Sequence, residues 1–153
     1  MGDRYTLTVE ASTLAARYAL EPPERYQPRY NAAPTQILPV VTQGSGGFSF
    51  FYWGQIPEWS NNKSISTKLI LSEAEKIVQK PTGKQALAER RCLIPADGYY
   101  DWKQVSKKGR IPYRVIWRDG KVFSMAGIWE EFEDEEGQTV HTFRILTTAA
   151  TSS

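Results

Sequence analysis

One cysteine and one histidine are all that the 153 residues offer to thiol or imidazole chemistry. Cys92 has no partner for an internal disulfide, which points to a reducing compartment. With His141 as the lone histidine, a Cys/His zinc cluster is excluded. No apolar run approaches the roughly 18–20 residues that span a bilayer. The N-terminus also lacks a basic segment followed by an apolar stretch, so no secretory signal is read. The expectation is a soluble, cytoplasmic chain with no membrane partner, no metal and no cofactor.

What is present is one domain's worth of sequence, 41% hydrophobic, with five Trp, eight Tyr and six Phe. That is enough to bury a core without a metal or disulfide staple. Net charge is only +2, but its distribution is uneven. Residues 63–118 hold thirteen basic and five acidic side chains, a local balance of +8. Residues 119–153 hold two basic and seven acidic, with all seven acids between Asp119 and Glu136. The basic middle is where a polyanion would bind, set against the plainer reading of a solvated Lys/Arg surface.

The pattern along the chain is mostly β. Alternation from Arg4 to Val9 predicts a strand, and Ser12 or Thr13 is read as the cap of a short helix carrying Leu14 and Tyr18. Gln36–Thr42 and Phe48–Trp53 predict a hairpin around the glycine-rich turn at 44–47. Ser72-Glu-Ala-Glu75 has capping-box spacing and predicts a helix start at Ser72; Pro81 opens another helix through Glu89. From Arg91 onward, strands are expected over 92–94, 98–103, 112–117, 122–129 and 139–147. Asp119-Gly120 is read as a tight hairpin and Glu133–Gly137 as an acidic turn. Together these predict a single α+β domain over 1–153, mainly antiparallel sheet with two or three short helices.

Several ordered segments carry a resemblance. Arg4-Tyr-Thr-Leu-Thr8, Arg29-Tyr-Asn-Ala-Ala-Pro-Thr-Gln36, Trp53-Gly-Gln-Ile-Pro-Glu-Trp59, Arg91–Trp102, Met125-Ala-Gly-Ile-Trp129 and Phe143–Ala149 resemble the SOS response-associated peptidase family, the abasic-site processing proteins. Members of that family bind single-stranded DNA and expose a cysteine at position 2. Its amine condenses with the aldehyde of an abasic site, and its thiol closes a thiazolidine. The resemblance therefore implies single-stranded DNA with abasic sites as partner, and association with the nucleoid when DNA is bound. It also implies that the chain lacks the family's C-terminal portion, with its catalytic His.

The departures fall on the chemistry. Gly2 stands at the family's nucleophile position, and Asp101 at the position of its Glu. Counting from Trp53 without gaps puts Leu71 on the family's catalytic Asn and Glu73 on its Arg; no asparagine occurs from Lys63 to Ser153. Whether the chain is an enzyme is thus open between covalent capture, a binding module without it, and a peptidase acting on proteins. Peptidase action has the least support, since no nucleophile–base pair can be assembled. The residues expected to meet DNA are Arg4, Asn31, Pro34, Trp59, Lys68 and Trp102. Aromatic faces stack on unpaired bases while cations follow phosphates. Trp53 and Trp129, set in apolar strands, read instead as core. Cys92 reads as a buried structural thiol. Asp97 reads as a turn residue with Gly98. Glu73 and Glu75, two apart on a helix, face away from each other and read as first-turn carboxylates.

Overall fold

The computed structural model describes residues 3–56, 65–66 and 69–148, and among these the β-pattern resolves into ten strands and three short helices. In chain order they are β1 (Tyr5–Leu7), α1 (Ala11–Tyr18), β2 (Arg29–Ala32), β3 (Ile37–Thr42), β4 (Ser49–Trp53), β5 (Leu71–Glu73), α2 (Ala74–Ile77), α3 (Pro81–Glu89), β6 (Arg91–Ala96), β7 (Gly98–Gln104), β8 (Arg110–Val115), β9 (Phe123–Glu133) and β10 (Thr139–Thr147). The α+β class, dominated by antiparallel pairing, is as the sequence predicts.

Two sheets share one core. The smaller has the order β2-β1-β7-β8, and the larger runs β4-β3-β6-β9-β10-β5. A further pairing, Thr142↔Tyr52 and Phe143↔Trp53, joins β10 to β4 in parallel, so five strands of the larger sheet close on themselves. Closure hides strand edges that would otherwise be free to pair with other chains. Its interior follows from the two-residue period: Leu38, Val40, Phe51, Trp53, Cys92, Ile94, Phe143 and Ile145 all point inward and are buried. Trp53 stacks on Phe143 at 6.3 Å, and its Nε1–H donates to the carbonyl of Ile70 at 3.1 Å, so the indole is a satisfied core residue. Tyr5 of β1 plugs one mouth of the barrel, 5.2 Å from the Trp53 ring. Its buried hydroxyl finds no hydrogen-bond partner among the described residues. Gly127 sits where strands crowd the interior. A Cβ there would run into Ile94 and lie 2.7 Å from the carbonyl oxygen of Arg144.

A second, smaller cluster is built where α1 crosses the fold. Leu14 packs with Leu7 and Val122, flanked by Tyr18, Tyr26 and Phe48. Tyr18 shares a 2.7 Å hydrogen bond with Ser124, and the Tyr26 hydroxyl donates to the Val9 carbonyl at 2.6 Å. The helix ends at Ala19, whose φ of 53° turns the chain out of the helix just ahead of Pro22-Pro23.

Three local expectations are corrected. Neither Ser12 nor Thr13 caps α1: both lie inside it, and Glu10 is the N-cap residue without a side-chain hydrogen bond. Ser72 is a strand residue of β5, and its hydroxyl accepts a 2.7 Å hydrogen bond from Arg144 instead of capping a helix. Tertiary pairing of Leu71–Glu73 with Ile145–Thr147 overrides the capping-box spacing there. Asp119-Gly120 does form a turn, with the Gly120 N–H donating to the Trp117 carbonyl at 2.9 Å, but not a hairpin: β8 and β9 belong to different sheets. The other turns hold. The glycine-rich one joins the paired strands β3 and β4, and the acidic one joins β9 and β10.

Candidate nucleic-acid interface

The smaller sheet sorts the predicted residues by face. Tyr5 pairs with Ala32 on one side and with Tyr99 on the other, and all three turn toward the core. Alternation sends their neighbours Asn31, Thr6 and Tyr100, and Arg4 just ahead of β1, to the opposite, outer side, where Thr6 is itself buried. The register Tyr100↔Arg114 and Trp102↔Pro112 extends that face onto β8. Asn31 is exposed and Trp102 is 52% exposed. Tyr100 ties the surface together: its hydroxyl donates to the Tyr30 carbonyl at 3.0 Å, and its N–H to the Arg4 carbonyl at 3.1 Å. Arg4, Asn31 and Trp102 therefore share one face.

Asp101 does not join them. It follows Tyr99 on the inner side, half-buried and paired across to Tyr113, and its Oδ1 accepts the backbone N–H of Trp102 at 2.9 Å. Pro34 lies in the turn after β2. That turn is fixed by the Thr35 N–H, which donates to the Trp53 carbonyl at 2.8 Å while Thr35 holds a φ of 73°. A β-branched residue in the left-handed region stores strain of about 1–3 kcal/mol and is held there only by its surroundings. Gly2, Trp59 and Lys68 lie outside the described residues.

Beneath the outer face is a network that sequence reasoning missed. Asp97 sits at the bend where the chain leaves the barrel in β6 and enters the small sheet in β7, and its side chain is 2% exposed. Its carboxylate accepts hydrogen bonds from the Thr6 hydroxyl at 2.6 Å, the Thr8 N–H at 2.5 Å, the Thr8 hydroxyl at 2.8 Å and the Arg114 guanidinium at 3.0 Å. Burial by itself would push the Asp97 pKa up. The donors from Thr6 and Thr8 and the charge of Arg114 outweigh it and hold the group below the ordinary carboxylate value. Gly98 makes the room: a Cβ there would stand 2.5 Å from Arg114 Nε and 2.8 Å from Thr6 Oγ1. The Asp97-Gly98 pair was legible as a bend, but its partners, far apart in sequence, were not.

The positions matched to the family's catalytic Asn and Arg sit elsewhere, on β5. Leu71 packs against the barrel core, and Glu73 is exposed 3.4 Å from Lys76. Glu73, Glu75, Thr147 and Thr148 line a cavity of about 440 Å³ beside it. A larger groove of about 1020 Å³ runs between α2–α3 and the barrel. At its floor Arg144 bonds Glu130 at 3.0 Å and Ser72 at 2.7 Å, and Gln55 donates to Glu130 at 3.3 Å. His141 stacks on Phe51 at 4.9 Å and lies 3.6 Å from Glu131, away from β5. Cys92 is buried in the barrel, and desolvation lifts its thiol to about 12, the behaviour of a structural thiol. Among the described residues no group of three or more His, Cys, Asp or Glu is placed to hold a metal, and no helix is long and apolar enough to cross a membrane.

The charge segregation becomes two arms. From Trp102 to Arg118, the part of the β7–β8 hairpin beyond Asp101 and the residues just after it, six basic residues occur and no acidic one. The β9–β10 hairpin carries Glu130, Glu131, Glu133, Asp134, Glu135 and Glu136. Ile111, Tyr113, Ile116 and Trp117 leave apolar surface exposed along the basic arm.

The family model for SOS response associated peptidase (SRAP) matches residues 1–153. The chain belongs to this family. Among its relatives is the Abasic site processing protein YoqW of Bacillus subtilis (strain 168), 35% identical over 97% of this chain and 68% of the relative. A more distant one is the Abasic site processing protein HMCES of Rattus norvegicus, 24% identical over 82% of this chain and 46% of that protein. The fold is also that of a crystallised Bacteroides thetaiotaomicron protein, with a TM-score of 0.83 and 27% identity over 96% of this chain and 68% of that one.

Proposed function

We propose that this SRAP-family chain is an abasic-site processing protein in the role of a DNA-binding module. It takes single-stranded DNA on the outer face of its small sheet and does not capture the lesion as a stable thiazolidine. The observation that carries the reading is the placement of Asn31 on β2, Trp102 on β7 and Arg4, just ahead of β1, on one solvent-facing side of the small sheet. Unpaired bases have π-faces that duplex stacking hides, and an exposed indole on a rigid strand offers them a stacking surface worth about 1–3 kcal/mol per base. Arg4 and the cations of the β7–β8 hairpin supply the phosphate attraction.

The covalent half of the family's chemistry needs an amine and a thiol on one residue. Gly2 offers no thiol, and Cys92 is buried and far along the chain. An exposed Gly2 amine, left when the initiator Met is removed, forms at most an imine with the ring-opened aldehyde, with water as the leaving group. Without a thiol to close the ring, water reverses the step. Asp101, on the inner face and one methylene shorter, stands at the position of the family Glu as the candidate proton carrier.

Fluorescence anisotropy with matched single-stranded and duplex oligonucleotides, each with and without an abasic site, tests the reading. Tighter, salt-sensitive binding to the single strand is expected, with Trp102→Ala weakening it by about 1–3 kcal/mol. On a denaturing gel no heat-stable adduct should form. Equal affinity for duplex, or a heat-stable adduct without reductant, contradicts the proposal.

A further inference from the structure

Arg114 entered none of the expectations from sequence, yet it is the most firmly held cation on the outer face. It lies directly across from Tyr100, one same-face position along from the Trp102↔Pro112 pair. Its Nε and Nη2 both donate to Thr6 Oγ1, at 3.1 and 2.9 Å, and Nη2 also reaches Asp97 Oδ1 at 3.0 Å. Its Nη1 has no partner among the described residues, and the side chain is 39% exposed. We propose that Arg114 is a pre-set phosphate-binding fork for the DNA backbone, and that Asp97 and Thr6 are its positioning residues. The inference rests on the reading of this face as a single-stranded DNA platform.

Three features argue that the guanidinium is built to receive an anion and is not spent on Asp97. First, the buried carboxylate accepts three further hydrogen bonds, from Thr6 and Thr8, so Arg114 is one of several groups stabilising its charge. Second, a guanidinium is a planar fork with five donors; two of its nitrogens are used here and the third nitrogen, with its two N–H groups, is left over. Third, a free arginine gives up much side-chain freedom when it grips a phosphate, and here that freedom is already lost in the folded protein. Gly98 is part of the device, because any side chain there would collide with the guanidinium and with Thr6. Two residues of extended strand separate Arg114 from the Trp102 row, about 7 Å. A base stacked on Trp102 therefore leaves a backbone phosphate within reach of the fork.

The experiment is anisotropy titration of a labelled abasic single-stranded oligonucleotide at four salt concentrations, with wild type, Arg114→Gln and Arg114→Lys, each checked by thermal melting. Arg114→Gln is expected to reduce the slope of log affinity against log salt by about 0.7, the share of one phosphate on a single strand. Its loss of affinity should be the same for every base sequence. Arg114→Lys should keep the slope, since a cation remains, but bind roughly threefold to tenfold more weakly, because an ammonium cannot hold Thr6, Asp97 and phosphate in one plane. A lower melting temperature for Arg114→Gln with unchanged slope and affinity assigns Arg114 to structure alone and overturns the inference. Should Arg114→Gln fail to fold, the lysine variant decides: wild-type affinity overturns the fork, and weaker binding at retained slope supports it. Absence of salt-dependent binding by the wild type removes the DNA reading itself, an outcome separate from the others.

Discussion

At the scale of single residues, Asp97, at the bend between β6 and β7, ties β1 and the residue after it to β8 with one carboxylate. Its folded pKa lies below the ordinary value, so the stability it contributes is present in full above the unfolded carboxylate pKa of about 3.9. That stability drains as the pH falls from there through the folded pKa. Asp97→Asn should therefore be less stable than wild type at pH 7, by about 3 kcal/mol, because the Thr8 donors and Arg114 lose a charged acceptor. The gap should narrow as the pH drops below about 4. Denaturant titrations of both proteins from pH 7 to pH 2.5 measure this; a gap that stays constant would place the destabilisation in packing and not in charge. The sequence offers no sign of such a cluster. Thr6, Asp97 and Arg114 become neighbours only when β1 pairs with β7 and β7 with β8, and an acid before a glycine is the ordinary signature of a turn.

At the scale of elements, the strands that alternate or carry β-branched and aromatic runs were legible, and so was α3 behind Pro81. The three-residue β5 was not, because Ser72-Glu-Ala-Glu75 spells a helix start locally and only the parallel pairing with β10 makes it a strand. The four-residue β2 likewise carries a motif but no alternation. The closure of β4 onto β10 is invisible for a further reason: it consists of a short parallel pairing between segments about ninety residues apart. Of the candidate site, Arg4, Asn31 and Trp102 were nameable from the resemblance; their common face, and the exclusion of Asp101 from it, needed the register. Gly127 shows how tightly the closed strands are drawn together. Its missing side chain leaves space already taken by Ile94 and the Arg144 backbone, with Cys92 Sγ 3.2 Å from where a Cβ would be. Gly127→Ala is expected to cost about 1–3 kcal/mol through overpacking. A chemical melt reads that cost, and a neutral result would mean that the barrel interior yields more easily than its packing indicates.

At the scale of the whole molecule, a net charge of +2 conceals a large separation of charge. The six cations on and beside the β7–β8 hairpin, and the six carboxylates on β9 and its turn, make the protein an electric dipole whose positive end is the arm next to Trp102 and Arg114. In the field of a polyanion such a body feels a torque before it touches anything. It approaches with the basic arm leading and the acidic arm trailing, so fewer encounters arrive in a useless orientation. The association rate constant should therefore fall steeply as ionic strength rises and the Debye length shrinks, to about 8 Å at 0.15 M. Stopped-flow mixing resolves this rate directly. Exchanging the charges of Glu135 and Glu136 with those of Lys107 and Lys108 keeps the net charge at +2 while undoing the separation, and should flatten that salt dependence. Acidic residues remote from the binding face would then act as the vane that turns the protein toward its strand.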